Sequence, residues 1–133
     1  MSLVLVTGAA GQVGSRLVRQ LLERNYEVRG LILPDDPSRS RLDGLEIEIV
    51  ESNLLDMAVC EKVIEGADAV IHTANLVGPL PGMSETEFFD NNVRNTFNIV
   101  YAASKCIGQQ HVKVKKGYFA RFWSSGPAKR TAV

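Results

Sequence analysis

The sequence predicts an α/β domain, a parallel sheet with helices on both faces, and three observations carry that prediction. Leu3 to Thr7 is a continuous apolar run, the kind buried on both faces of a sheet rather than the alternating kind with one wet face. It leads through three glycines, Gly8, Gly11 and Gly14, directly into an amphipathic helical pattern. Strand-like and helix-like segments then keep alternating, which in one domain means parallel strands joined by right-handed crossovers.

Each element has its own signal. From Gln12 onward Val13, Leu17, Val18, Leu21 and Leu22 recur at three- and four-residue spacing, so this helix lays one stripe on the sheet. Glu27 to Leu33 is the second strand, broken by Pro34, Asp35, Asp36 and Pro37, and a polar loop follows through Gly44. Glu46 to Glu51 is the third strand, with Ile47, Ile49 and Val50 as its apolar residues. Asp56 caps a helix running through Ile64, and Gly66 ends it. Ala69, Val70 and Ile71 form the core of the fourth strand, and Leu76 to Ser84 is a loop rich in glycine and proline. Ser84 with Glu87 has capping-box spacing and opens one long helix that packs through Phe88, Val93, Phe97, Ile99, Val100 and Ala103.

A chain of 133 residues matches one domain. Its 45% hydrophobic and 23% charged residues are those of a globular protein, and no apolar stretch approaches the ~20 residues that cross a bilayer. The start of the chain lacks a signal-like segment, so the expected location is cytoplasmic. Cys60 and Cys106 lie far apart in no CxxC pair, which predicts two reduced thiols, no disulfide framework and no metal site.

Net charge is zero, but its distribution is uneven. Residues 1–108 carry nine basic and fifteen acidic side chains, whereas residues 109–133 carry six basic and no acidic ones. The division expected is therefore a binding domain over 1–108 and a basic segment over 109–133, either a final strand or a solvated tail. Lys113, Lys115, Lys116 and Arg121, with Tyr118, Phe119 and Trp123 between them, have the composition of a nucleic-acid contact. A solvated tail is the simpler account, and nucleic acid is not an expected partner.

The glycine turn carries the function. A strand that ends in a tight turn and re-enters as a helix points the first helical amides at one spot, where the macrodipole adds roughly half a positive charge suited to a phosphate. In that setting Gly8 serves the tight turn, Gly11 the close approach of backbone to a pyrophosphate, and Gly14 the packing of helix on strand. The expected ligand is a dinucleotide.

The stretch TGAAGQVG, Thr7 to Gly14, resembles the cofactor loop of the extended short-chain dehydrogenase/reductase family, which includes nucleotide-sugar epimerases, dihydroflavonol reductases and 3β-hydroxysteroid dehydrogenases. NYEVRGLILP is similar to that family's second strand, IEIVESNLLD to its third-strand signature, and VIHTANL to its fourth-strand motif. NNVRNTFNIVYAA is similar to the helix that opens with Asn-Val-x-Gly-Thr. The resemblance covers about residues 3–108 and implies a Rossmann-type sheet in the order 3-2-1-4-5 with NAD or NADP as cofactor. It implies that Gly8, Gly11, Gln12, Val13 and Gly14 surround the pyrophosphate, that Asn53 and Leu54 lie beside the adenine, and that Ala74 and Asn75 run along the cofactor. Asn53 stands where the family commonly has Asp; its amide either accepts from the adenine amino group or satisfies backbone at the strand end. Ile32 and Leu33 occupy the place of the usual NAD or NADP determinant. Asp35 or Asp36 could reach a ribose hydroxyl, and Arg39 or Arg41 a 2′-phosphate. His72 is expected to be a packed residue rather than an acid or base.

The family's chemistry resembles hydride transfer assisted by a tyrosine whose pKa is lowered by a lysine four residues later. Tyr101 and Lys105 have that spacing, but they continue the helix identified by NNVRNTF and are expected to be a decoy. RFWSSG, Arg121 to Gly126, is similar to the strand that ends in the catalytic serine, which puts Ser124 or Ser125 at that role. No tyrosine and lysine pair follows, so the chain is expected to be truncated and catalytically incomplete, and the basic run from Gln109 suggests a changed reading frame or exon order. The resemblance implies the NAD(P)-binding domain of an oxidoreductase or epimerase acting on a small carbonyl or nucleotide-sugar-like substrate. The alternative is a non-catalytic module that binds a dinucleotide or a partner. An uncovered sheet edge also invites association into a homo-oligomer.

Overall fold

The computed structural model describes residues 2–106 and the backbone of Lys113–Lys116. Five parallel strands form one sheet: β1 (Leu3–Thr7), β2 (Glu27–Ile32), β3 (Glu48–Glu51), β4 (Ala69–His72) and β5 (Lys113–Lys116). Their order is β3-β2-β1-β4-β5, as the resemblance implies, with every pairing parallel. The chain reverses its direction of travel across the sheet at β1, between β2 and β4. Such a switch point opens a crevice at the carboxyl ends of the strands.

The central strand is buried on both faces because its side chains alternate between two cores. Val4 and Val6 pack with Ala9, Ala10, Val18, Val28, Ile32 and Leu42, under helix α1 (Gln12–Glu23). Leu5 packs with Leu31, Val63, Ile64, Val70, Ile99 and Ala103, under helices α2 (Met57–Ile64) and α4 (Asn95–Cys106). Cys60 belongs to this second core. Burial, reinforced by Asp56, pushes its thiol up to about 11, and Sγ donates to Leu54 O at 3.3 Å. It is a packed group, not a nucleophile. Among the described residues no helix is long and apolar enough to cross a membrane.

The structure departs from the expected elements in three places. The polar loop after β2 contains a 3₁₀ turn, Arg39–Leu42, which exists because Leu42 buries completely against the α1 core. Val13 is not part of the α1 stripe; it is 48% exposed on the first turn, where Gly14 and Ser15 are the buried residues. The long helix from Ser84 is three pieces: α3 (Glu85–Phe89), a π turn over Asp90–Arg94, and α4. Side chains cause that break. Asn91 Nδ2 donates to Glu87 O, Asn95 Nδ2 to Asn91 O, and Thr96 Oγ1 to Asn92 O, so three i−4 carbonyls around the turn are shared with side chains and the backbone ladder loosens.

Two residues expected in the core are also corrected. Val93 is half exposed and Phe97 is 61% exposed, whereas Ile99 is buried. At about 100° per residue, Phe97 and Ile99 lie some 200° apart, and one helix face cannot bury both. Phe97 stacks on Tyr101 instead, ring centroids 5.8 Å apart, on the outer face.

Candidate functional site

A cleft opens at the carboxyl ends of β1, β2 and β4, in front of the first turn of α1. Gly8, Gly11, Leu31, Ile32, Leu33, Asp36, Ser52 and Leu54 line one side, and Thr73, Ala74, Asn75, Leu76, Asn91 and Asn95 the other. The glycine turn builds its floor. Gly8 has φ +67°, a left-handed conformation, and a Cβ there would fall 2.8 Å from Ala74 N. Gly14 is closed to any side chain, since its Cβ would lie 2.0 Å from Gly8 O. Gly11 N donates to Gly8 O at 3.0 Å and Ala9 N donates to Leu31 O at 3.2 Å, which fixes the turn against itself and against β2.

Helix α1 begins with Gly11 as its N-cap, with no side-chain hydrogen bond and no acidic residue in the first turn. Ser15 N donates to Gly11 O, so the amides of Gln12, Val13 and Gly14 come before the ladder begins and project from the helix end. Together with the macrodipole they favour an anion at the mouth of the cleft.

The far wall is held by a buried relay from β1 to α4. Thr7 Oγ1 accepts from Thr73 N at 3.2 Å and from Ala74 N at 3.4 Å, which takes both lone pairs, so its proton goes to His72 Nδ1, 2.6 Å away. That leaves the other ring nitrogen as the donor to Thr96 Oγ1 at 3.0 Å, and Thr96 passes its own proton to Asn92 O. His72 is 1% exposed and does not line the cleft, so it is the packed residue the sequence implies. Asn92 in turn clamps Leu76, donating to its carbonyl at 2.9 Å and accepting from its amide at 2.7 Å. The loop after β4 is thereby tied to the π turn.

Of the nine residues expected around the cofactor, Gly8, Gly11, Leu54, Ala74 and Asn75 line the cleft. Gln12 and Val13 stand exposed at the helix start beside it, and Gly14 lies beneath Gly8. Asn53 is not in the lining; its Oδ1 accepts from Leu55 N at 2.9 Å, which is the backbone role at a strand end. Among the four charged candidates after β2, Asp36 lines the cleft and Asp35 does not. Arg39 pairs with Glu51, and Arg41 Nη1 donates to Ala10 O, so both guanidinium groups are bound within the fold. Tyr101 and Lys105 are apart from the cleft: Lys105 Nζ lies 4.8 Å from the Tyr101 ring and 2.7 Å from Glu61 Oε1, a bond that raises its pKa. Ser124 and Ser125 lie outside the described residues.

Sequence reasoning missed Ser52, Thr73, Asn91 and Asn95. Asn91 and Asn95 carry a signal in the chain, since the spacing of four repeats that of a helix face, but only the π turn shows that this face looks into the cleft.

A parallel sheet with its switch point beside a glycine turn and a bare helix start defines a dinucleotide-binding domain of the Rossmann type. The model of the NAD dependent epimerase/dehydratase family matches residues 4–122. The chain belongs to that family. It is 33% identical over 119 residues to a 3 beta-hydroxysteroid dehydrogenase/Delta 5-->4-isomerase of Mycobacterium tuberculosis, covering 82% of this chain and 30% of that protein. It is 37% identical over 108 residues to cinnamoyl-CoA reductase 1 of Petunia hybrida, covering 77% of this chain and 31% of the relative. Among solved structures, the Bordetella bronchiseptica enzyme WbmH in complex with NAD+ superposes with a TM-score of 0.68 at 32% identity, over 79% of this chain and 36% of that one. The chain thus spans about 30% of the length of the curated relatives it matches.

Proposed function

We propose that this chain is the cofactor-binding half of an NAD-dependent oxidoreductase or epimerase acting on a small carbonyl or nucleotide-sugar-like substrate. The observation that carries the reading is the uncapped start of α1 facing the cleft, with Gly8 and Gly11 in its lining. In this reading the amides of Gln12, Val13 and Gly14 bind the pyrophosphate, Leu54 packs on the adenine, and Ala74 and Asn75 follow the chain of the cofactor toward its reactive ring. The nicotinamide, when bound, accepts or returns a hydride. Ser124 or Ser125 is the candidate for orienting the substrate oxygen. The reading includes a cytoplasmic location, which the free thiols of Cys60 and Cys106 support.

The cofactor preferred is NAD over NADP. Asp36 lines the cleft after β2, and its Oδ1 accepts from Ser38 N at 2.8 Å. The carboxylate's remaining acceptor capacity suits ribose hydroxyls while its charge repels a 2′-phosphate, and the two arginines that could neutralise such a phosphate are already bound. A second reading, a dinucleotide-binding module without turnover, is favoured by Tyr101 and Lys105, the Tyr-x-x-x-Lys pair within the described residues, which do not reach the cleft.

Calorimetry with each cofactor, followed by a turnover assay on simple carbonyls, tests both readings. NAD is expected to bind at least about tenfold more tightly than NADP, and Asp36→Ala to narrow the gap to about threefold. Binding without turnover selects the module. If neither dinucleotide binds the folded chain at millimolar concentration, the dinucleotide reading fails.

A further inference from the structure

The wall of the cleft formed by α4 holds a polar atom that the fold itself does not use. Asn95 is 6% exposed, and its Oδ1 is buried without a hydrogen-bond partner. Its orientation is fixed, because Nδ2 donates to Asn91 O at 2.9 Å and a flipped amide would set oxygen against oxygen. Buried acceptors are nearly always satisfied, so an orphan at the wall of a ligand cleft marks a partner that arrives from outside. Asn95 lines that cleft. It stands at the position where the resemblance to Asn-Val-x-Gly-Thr puts a glycine.

Its position along the cleft follows from the next turn of the helix. Asn98 Nδ2 donates to Leu54 O at 2.8 Å and to Leu55 O at 3.1 Å, which binds α4 to the loop after β3. Asn95, one turn before Asn98 on the same helix and in the lining together with Leu54 and Ser52, therefore belongs to the Leu54 side of the cleft. The residue expected to accept from an adenine amino group, Asn53, spends its Oδ1 on Leu55 N and is not in the lining.

We infer that Asn95 Oδ1 is the base-reading acceptor of this site, taking an N–H from the exocyclic amino group of the adenine. The inference rests on the dinucleotide reading above and adds to it the residue that selects the base. Within the ligand, phosphates cannot donate, the ribose hydroxyls fall at the Asp36 side, and the nicotinamide carboxamide lies beyond the pyrophosphate. The adenine amino group is the donor left at the Leu54 end. A hypoxanthine base presents a carbonyl oxygen at that position, acceptor against acceptor.

The test is calorimetric titration of the chain with NAD and with nicotinamide hypoxanthine dinucleotide, in the wild type, Asn95→Gly, Asn95→Ala and Asn53→Ala, each checked for folding by circular dichroism. Asn95→Gly restores the residue of the family motif, and Asn95→Ala keeps the helix if glycine weakens it. The wild type is expected to bind NAD at least about tenfold more tightly than the hypoxanthine analogue. Either Asn95 variant should bring that ratio to within about twofold, mainly by weakening NAD, and Asn53→Ala should leave it unchanged. A ratio near one in the wild type, a ratio that survives loss of the Asn95 side chain, or one that collapses in Asn53→Ala overturns the assignment while NAD binding stands. Failure of the wild type to bind either dinucleotide overturns the dinucleotide reading itself, and this inference with it.

Discussion

Two helix starts in this chain are built in opposite ways. At Ser84 the capping box is complete: Ser84 Oγ accepts from Glu87 N at 3.2 Å, and Glu87 Oε2 accepts from Ser84 N at 2.8 Å. At Gly11 there is no side chain to cap with and no acid in the first turn. Orphan amides at a helix end must be met by something; the fold meets those of α3 from within and puts no side-chain cap on those of α1, which the proposed function leaves to a ligand. In the proposed reading the first helix start is structural and the second functional, and three substitutions would break or sharpen that contrast.

The largest effect is expected at Gly14. A Cβ there would lie 2.0 Å from Gly8 O, backbone that cannot give way without moving the turn. Gly14→Val should cost about 3 kcal/mol or more by thermal or urea unfolding, and weaken NAD about 100-fold or more in calorimetry. Next is Gly11→Asp, which gives α1 the kind of cap that Asp56 gives α2, where the carboxylate accepts from Ala58 N at 2.9 Å. The backbone at Gly11, φ −64° and ψ 171°, is the extended form an Asp cap uses. The new Cβ lies 3.1 Å from Gly8 O, so the turn must give by a few tenths of an ångström. Stability should fall by no more than about 1 kcal/mol while NAD affinity drops about 10- to 100-fold, because the new carboxylate both closes the amides and repels the pyrophosphate.

At the other helix the pattern should invert. Ser84→Ala is expected to cost about 1 kcal/mol of stability and to leave the NAD dissociation constant within about twofold. The cap also has a pH signature. Hydrogen bonds from the backbone and side chain of Ser84 hold the Glu87 carboxyl below its ordinary value. Its contribution is therefore present above the unfolded pKa and is lost as pH falls through the lowered folded one. In Ser84→Ala the Glu87 carboxyl should titrate at higher pH, a change that carbon NMR reads directly.

Much of this was legible in the chain itself. β1 and the turn after it were readable because a doubly buried strand and three glycines at fixed spacing admit few alternatives, and Asp56, Ser84 and Glu87 name their own helix starts. What was not legible depends on competition between groups. That the helix from Ser84 breaks into a π turn follows from Asn91, Asn95 and Thr96 sharing i−4 carbonyls, and nothing in an apolar periodicity reports that. The same break turns Asn91 and Asn95 toward the cleft. Asn53 had two readings in sequence, and the backbone one is formed in the fold, where Oδ1 accepts from Leu55 N at 2.9 Å. The Tyr101 and Lys105 spacing fits a catalytic pair, yet the helix that carries it presents Lys105 to Glu61 on α2.

The central claim is that the bare start of α1 is the phosphate site, and amide NMR during an NAD titration tests it most directly. The amides of Gln12, Val13 and Gly14 should show the largest downfield shifts of any helix start, while those of Ala58 and Glu87, already bonded to their caps, stay within the general scatter. If the folded chain binds NAD with the Gln12 to Gly14 amides unmoved and the largest shifts at another helix start, the assignment of this site is wrong.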